Sequence, residues 1–158
     1  MEKLKKLLDK SLAYSVYFLT VLLLVVTSAQ VFWRYVFNNP IIWAEEFARI
    51  NFVWLTFLTG CLAFRYGKHM AVDLLPPYLS AKGRRIQERI VKSLIGAFLL
   101  LIVATSPELM EITWGQPSAT LNIPYALIYA AFPVSALLML IYIILDVFSG
   151  RKGGERAQ

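Results

Sequence analysis

The sequence predicts an all-α membrane protein: four transmembrane helices, both termini cytoplasmic, and a short interfacial segment between the second and third helices. Three observations carry this. Of 158 residues, 58% are hydrophobic and only 16% charged, where soluble domains average roughly 25% charged. Ser11–Trp33 holds 23 residues without a charge and Ile112–Leu145 holds 34, against the about 20 that a spanning helix needs. Two runs of 15, Ile50–Phe64 and Ser93–Pro107, reach spanning length once flanking charges snorkel or pair. The third observation is charge placement. Lys and Arg cluster before the first span, between the second and third, and after the fourth, which accounts for 14 of the 16. Only Arg34 and Arg49 fall on the other side, so the positive-inside rule sets one orientation. Placed this way, the net charge of +6 points to membrane topology and not to nucleic acid.

Residues 1–10 read as a cytoplasmic amphipathic N-terminus, with Leu4, Leu7 and Leu8 set against lysines. Together with the run that follows, they also resemble a signal peptide, with Thr27-Ser28-Ala29 as a cleavage-like site. Read from Met1, the segment is expected to be kept as the first span, about residues 11–37. Trp33, Tyr35 and Phe37 form its aromatic belt, with Arg34 among them.

The second span, about 40–66, is expected to start with Asn39 as cap and Pro40 in the first helical position. Glu45 and Glu46 lie near the positive helix end, and Glu45 to Arg49 is the favourable i,i+4 order. Thr56, Gly60, Ala63 and Gly67 make a narrow small-residue face that invites close helix approach. The opposite side, with Phe52, Trp54, Leu55, Phe57 and Leu58, suits lipid or a larger partner. Met70–Leu79 reads as the interfacial segment, broken by Pro76-Pro77.

Ser80 is expected to cap the third span, about 82–114, and Pro107 to kink it. Gly115–Thr120 is a turn. Asn122 is expected to cap the fourth span, about 124–147, with Pro124 in its first turn and a bend at Pro133. The spans make one transmembrane domain, residues 11–148. Residues 149–158 form a polar cytoplasmic tail, expected to be disordered.

Chemistry has few places to reside. Arg34, Glu45, Glu46, Arg49, Glu108 and Glu111 gather toward one end. Ionisable groups at membrane depth can bind a substrate or relay protons. The plainer expectation is that the two arginines neutralise two carboxylates and pin the hairpins together. His69 is the only histidine and a haem anchor usually needs two axial ligands, so a redox role is not expected. It is expected to hydrogen-bond Asp73, four residues on. Cys61 stands alone, excluding a disulfide framework. Nucleophile triads, phosphate loops and metal clusters are absent from the sequence, so neither an enzyme nor a bound cofactor is expected. Trp33, Trp43, Trp54 and Trp114 read as interface anchors.

The run Arg34-Tyr-Val-Phe-Asn-Asn-Pro40 followed by Trp43-Ala-Glu-Glu-Phe-Ala-Arg49 resembles the small membrane subunit (DctQ-like) of tripartite ATP-independent periplasmic (TRAP) transporters. So do Gly60, Arg65-Tyr-Gly67-Lys-His69-Met-Ala-Val-Asp73, Leu121-Asn-Ile-Pro124 and Pro133-Val. The resemblance covers roughly residues 15–148 and rests on the order of these motifs across four spans. It implies a non-catalytic scaffold in a sodium-coupled importer of an organic anion (a dicarboxylate, sialic acid or sugar acid). A periplasmic protein would capture the substrate, and a large membrane subunit, expected to be a separate chain, would carry substrate and sodium. On this view Trp43, Glu45, Glu46 and Arg49 match the family's acidic-basic motif near the periplasmic face. Gly67, His69 and Asp73 match its cytoplasmic turn. The implied setting is the inner membrane of a bacterium or archaeon, with lipids as further partners. An alternative is a small self-contained four-helix exporter, which needs a carboxylate deep in a span and balanced loop charges. Both are at odds with the charge pattern.

Overall fold

The computed structural model describes residues 2–66 and 81–148. It contains helices α1 (Glu2–Val36), α2 (Ile42–Arg65), α3 (Ala81–Trp114), α4 (Tyr125–Tyr129) and α5 (Ala131–Phe148). Four stretches are long and apolar enough to cross a bilayer: Lys5–Val36, Ile42–Arg65, Ile90–Trp114 and Tyr125–Leu145. The shortest has 21 residues, about 30 Å of helix, which matches the hydrocarbon core. The chain is therefore an all-α, multi-pass membrane protein. The expected interfacial segment at Met70–Leu79 and the polar tail lie outside the described residues.

The helices pack as α1 on α2, and α2 and α3 on either side of α5. One core cluster joins Leu12, Leu58, Cys61 and Tyr142 from α1, α2 and α5, and a second joins Leu99, Ile102 and Ala136 from α3 and α5. Where α4 and α5 are hemmed in, the residues are small. Ala126, Ala131, Ser135 and Ala136 are all at most 3% exposed. Small side chains let backbones approach closely where lipid gives no hydrophobic drive. Ser135 can be buried there because its hydroxyl donates to the Ala131 carbonyl at 2.7 Å.

On α2 the buried seam differs from the one expected. Ala44, Asn51, Leu58 and Cys61 face the other helices, whereas Thr56 is exposed and donates back to the Phe52 carbonyl. Ala44, Asn51, Leu58 and Arg65 follow at intervals of seven, the period that keeps one face against a neighbour. Leu58, expected on the side suited to lipid or a larger partner, is 8% exposed in the core. Asn51 is held by its Nδ2 donating to the Leu19 carbonyl of α1 at 3.1 Å.

The helix starts also differ from expectation. Asn38 has a φ of 49°, the left-handed conformation in which Asn commonly stops a helix. It closes α1, and Asn39-Pro40 is then used in the turn, since the residue before proline is pushed to extended backbone. α2 begins later, with Ile41 at its cap position and no side-chain cap. Likewise Asn122, at φ 53°, shapes a loop, and Pro124 takes the cap position of α4 without a side-chain bond. α3 runs through Pro107 without interruption. The fourth span breaks at Ala130, between α4 and α5. Pro133 accounts for the position: it has no N–H for the Tyr129 carbonyl, and its ring crowds that group.

Candidate partner interface at the rim of the bundle

One end of the bundle is a rim made by the α1–α2 turn and the α3–α4 loop. The loop is closed by its own backbone. Ser118 N–H donates to Ile123 O and Tyr125 N–H to Gln116 O, both at 2.9 Å. The Ser118 hydroxyl, in a residue 2% exposed, accepts from Ile123 N–H at 3.2 Å. Two loop N–H groups remain pointing at α2. Glu46 Oε2 accepts both, from Thr120 at 2.8 Å and Leu121 at 2.9 Å. A carboxylate taking two N–H donors is a charge-assisted clasp, stronger than neutral pairs of the same geometry. The joint between the two hairpins is thus Glu46 with backbone N–H groups, and not an arginine with a carboxylate as expected.

The remaining rim charges are exposed. Arg49 Nη2 lies 3.5 Å from Glu45 Oε1, with both side chains more than 70% exposed, so this pair contributes at most a few tenths of a kcal/mol. Arg34 Nη2 donates to the Tyr35 hydroxyl at 3.3 Å, and its guanidinium sits 5.2 Å from that ring's centre. Among the described residues it meets no carboxylate. Glu108 and Glu111 are both exposed on α3. Trp43 is half exposed and packs edge-on against Phe47, with ring centres 6.2 Å apart. At the end of α1, the Trp33 and Phe37 ring centres lie 4.8 Å apart. The rim thus offers aromatic rings and uncommitted charges around one fixed carboxylate.

Gly60 lies away from the rim, facing α5. A Cβ added there would sit 4.0 Å from Met139 Cε, an ordinary contact. Gly67, His69 and Asp73 fall outside the described residues. Among the described residues no three His, Cys, Asp or Glu side chains come together to hold a metal.

Three connections escaped the sequence reading. Trp54, read as an interface anchor, is partly buried and donates Nε1–H to the Leu127 carbonyl of α4 at 3.2 Å, just before the break at Ala130. Its neighbour Phe57 meets Phe132 of α5 edge-on at 5.4 Å. At the opposite end of the bundle, Arg65 pairs with Asp9 and lies over the Tyr142 ring. The seven-residue spacing from Leu58 to Arg65 was the available signal for that pair.

Four spans, a clasped rim and helices with largely exposed apolar faces describe a membrane component. Residues 23–153 match the family described as tripartite ATP-independent periplasmic transporters, DctQ component. The chain belongs to the DctQ family of TRAP small permease subunits. A TRAP transporter small permease protein of Haemophilus influenzae is 30% identical over 139 residues, 85% of this chain and 82% of the relative. The C4-dicarboxylate TRAP transporter small permease protein DctQ of Rhodobacter capsulatus is 30% identical across 73% of this chain and 52% of its own length. The sialic acid TRAP transporter permease protein SiaT, also of Haemophilus influenzae, is 30% identical over 71% of this chain, which corresponds to 18% of that longer protein. The family is a transporter component and not an enzyme family. In this DctQ chain the Glu46 clasp fixes the α3–α4 loop to α2 at the rim.

Proposed function

We propose that this chain is the immobile, non-catalytic scaffold of a sodium-coupled TRAP importer of an organic anion. On this reading its helix faces pack against a large membrane subunit that binds substrate and sodium. Its rim faces the periplasm and helps dock the substrate-binding protein, and both termini lie in the cytoplasm of a cell whose inner membrane holds the assembly.

One observation carries the reading. In the apolar stretch of α1 only 6% of residues are fully buried within the chain; one face packs on α2, and the rest of the helix surface is left for outside contacts. In a membrane, such a helix gains stability by packing on another protein through shape and close contact. Two relatives supply the companion: SiaT and the isethionate permease DctMQ of Oleidesulfovibrio alaskensis carry the similar segment in 18% and 17% of their lengths. The relatives' names mention sialic acid, isethionate and C4-dicarboxylates, all organic anions, which supports that substrate class here. Orientation rests on the positive-inside pattern.

The test is uptake into liposomes. The complete transporter should accumulate substrate down a sodium gradient, and this chain alone should accumulate none. Glu46→Ala or Arg49→Ala should lower uptake by the complete transporter while leaving membrane insertion intact. Solute movement by the purified chain alone would overturn the proposal in favour of a self-contained exporter.

A further inference from the structure

Because α2 and α3 each pack on α5 and hardly on each other, a groove stays open between them beside the break at Ala130. Its main hollow is about 300 Å³, lined by Val53, Phe57, Leu109, Ile128, Tyr129 and Phe132, with no polar surface. A second hollow of about 280 Å³ shares Leu109 and Phe132 and continues along α3 past Glu108. Phe57 lies fifteen residues into α2 and Ile102, in the second hollow, twelve residues before the end of α3. At 1.5 Å per residue both are about 20 Å from the rim, near the middle of a bilayer about 40 Å thick overall. The two hollows therefore lie within one leaflet, a depth that suits an acyl chain.

The mouth of the groove is charged. Arg49 is one turn before Val53 on the same face of α2, and helix side chains tilt toward the N-terminus, here toward the rim. Its guanidinium is exposed and engages Glu45 through one nitrogen at 3.5 Å, leaving donors that match a phosphate. Glu45 is beside it, and Glu108 lines the second hollow. Two carboxylates against one guanidinium disfavour a headgroup that is only anionic, and suit one that carries a phosphate and an ammonium.

We infer that the groove holds an acyl chain of a zwitterionic aminophospholipid whose phosphate pairs with Arg49. The lipid fills the gap between α2 and α3 and acts as part of the bundle. This inference needs only the membrane setting and stands apart from the transport reading.

The probe is phosphatidylethanolamine. After delipidation and add-back to the full chain in detergent micelles, native mass spectrometry should show one retained molecule. Retention should fall about tenfold, equivalent to 1.4 kcal/mol, in Ile128→Trp, which fills the hollow; circular dichroism would confirm that the variant is still helical. Arg49→Gln should weaken retention more than Arg49→Lys, and phosphatidylglycerol should be held less well. A phosphatidylethanolamine with a diazirine on its acyl chain, used with the wild-type chain, should label residues 102–112 and 128–132. Labelling confined to other regions, or retention unaffected by Ile128→Trp, would overturn the inference. So would a Leu109→Cys cross-link, in the assembled transporter, to a protein side chain with no lipid in the groove.

Discussion

Arg65 grips Asp9 through two bonds, Nε to Oδ1 at 3.1 Å and Nη2 to Oδ2 at 3.4 Å, with each side chain only 21% exposed. The same guanidinium lies 5.5 Å from the centre of the Tyr142 ring. One cation thereby ties α1, α2 and α5 together at the end of the bundle away from the rim. It also holds the first turns of α1 against α2, so that residues 2–10 continue the helix. A fully buried pair costs about 3–5 kcal/mol to break from one side, and partial exposure reduces that through screening.

Asp9→Asn should therefore destabilise the bundle by about 2 kcal/mol, read as unfolding in mixed detergent micelles. Exchanging the partners, as Asp9→Arg with Arg65→Asp, should recover part of the loss that either change causes alone. Wild-type stability in Asp9→Asn would show that the pair fastens nothing.

The Trp54 bond to Leu127 makes a smaller, local prediction. Interhelical hydrogen bonds in membranes average about 0.6 kcal/mol, so Trp54→Phe should barely change global stability. The Leu127 carbonyl would nonetheless lose its donor beside a helix break. Amide exchange over residues 127–134 should quicken while the rest of the chain stays unchanged. Uniformly faster exchange would mean that the indole acts through core packing instead.

How far the sequence foretold this depends on what carries each feature. Charge-free runs and Lys/Arg placement are one-dimensional signals, and the four spans follow from them. The seam of α2 was harder because it mixes Ala44, Asn51 and Leu58, which share position but not character. The eye is drawn to the uniform stripe of Thr56, Gly60 and Ala63. Asn39 and Asn122 were read as helix caps, whereas Asn38 and Asn122 turn the chain, because Asn serves both as a helix cap and as a left-handed turn residue and only backbone geometry tells these apart. Glu46 was singled out, but its partners were not: 74 positions separate it from Thr120, and a backbone N–H is a donor that no residue type announces.

Asn51 tests the cost of polarity inside the seam. It is 4% exposed, and although Nδ2 reaches the Leu19 carbonyl, its Oδ1 has no hydrogen-bond partner. A buried unpaired acceptor costs about 1–3 kcal/mol, while the bond it accompanies returns less. Asn51→Leu, which keeps the branching at Cγ and removes both polar atoms, should thus be neutral or stabilising by about 1 kcal/mol where the seam accommodates its larger volume. A clear loss of stability would instead identify the Leu19 bond as the feature that sets the α1–α2 register. The two outcomes are separated by a melting curve.

Glu46 carries the sharpest expectation, because its two donors come from one loop and its carboxylate is the only side chain holding that loop to α2 among the bonds described. Glu46→Gln keeps an acceptor oxygen but removes the charge, and neutral bonds are roughly half as strong as charge-assisted ones. Glu46→Asp keeps the charge but shortens the reach by a methylene. Both should speed amide exchange at Thr120 and Leu121, and the fold elsewhere should stay protected. Glu45→Gln, altering an exposed pair one residue away, should leave those amides unchanged. If the loop orients the rim for a partner, transport by the assembled complex should fall in the order of the exchange rates, wild type above Gln and Asp. Fast exchange with undiminished uptake would separate the clasp from docking and leave it a structural device of the bundle alone.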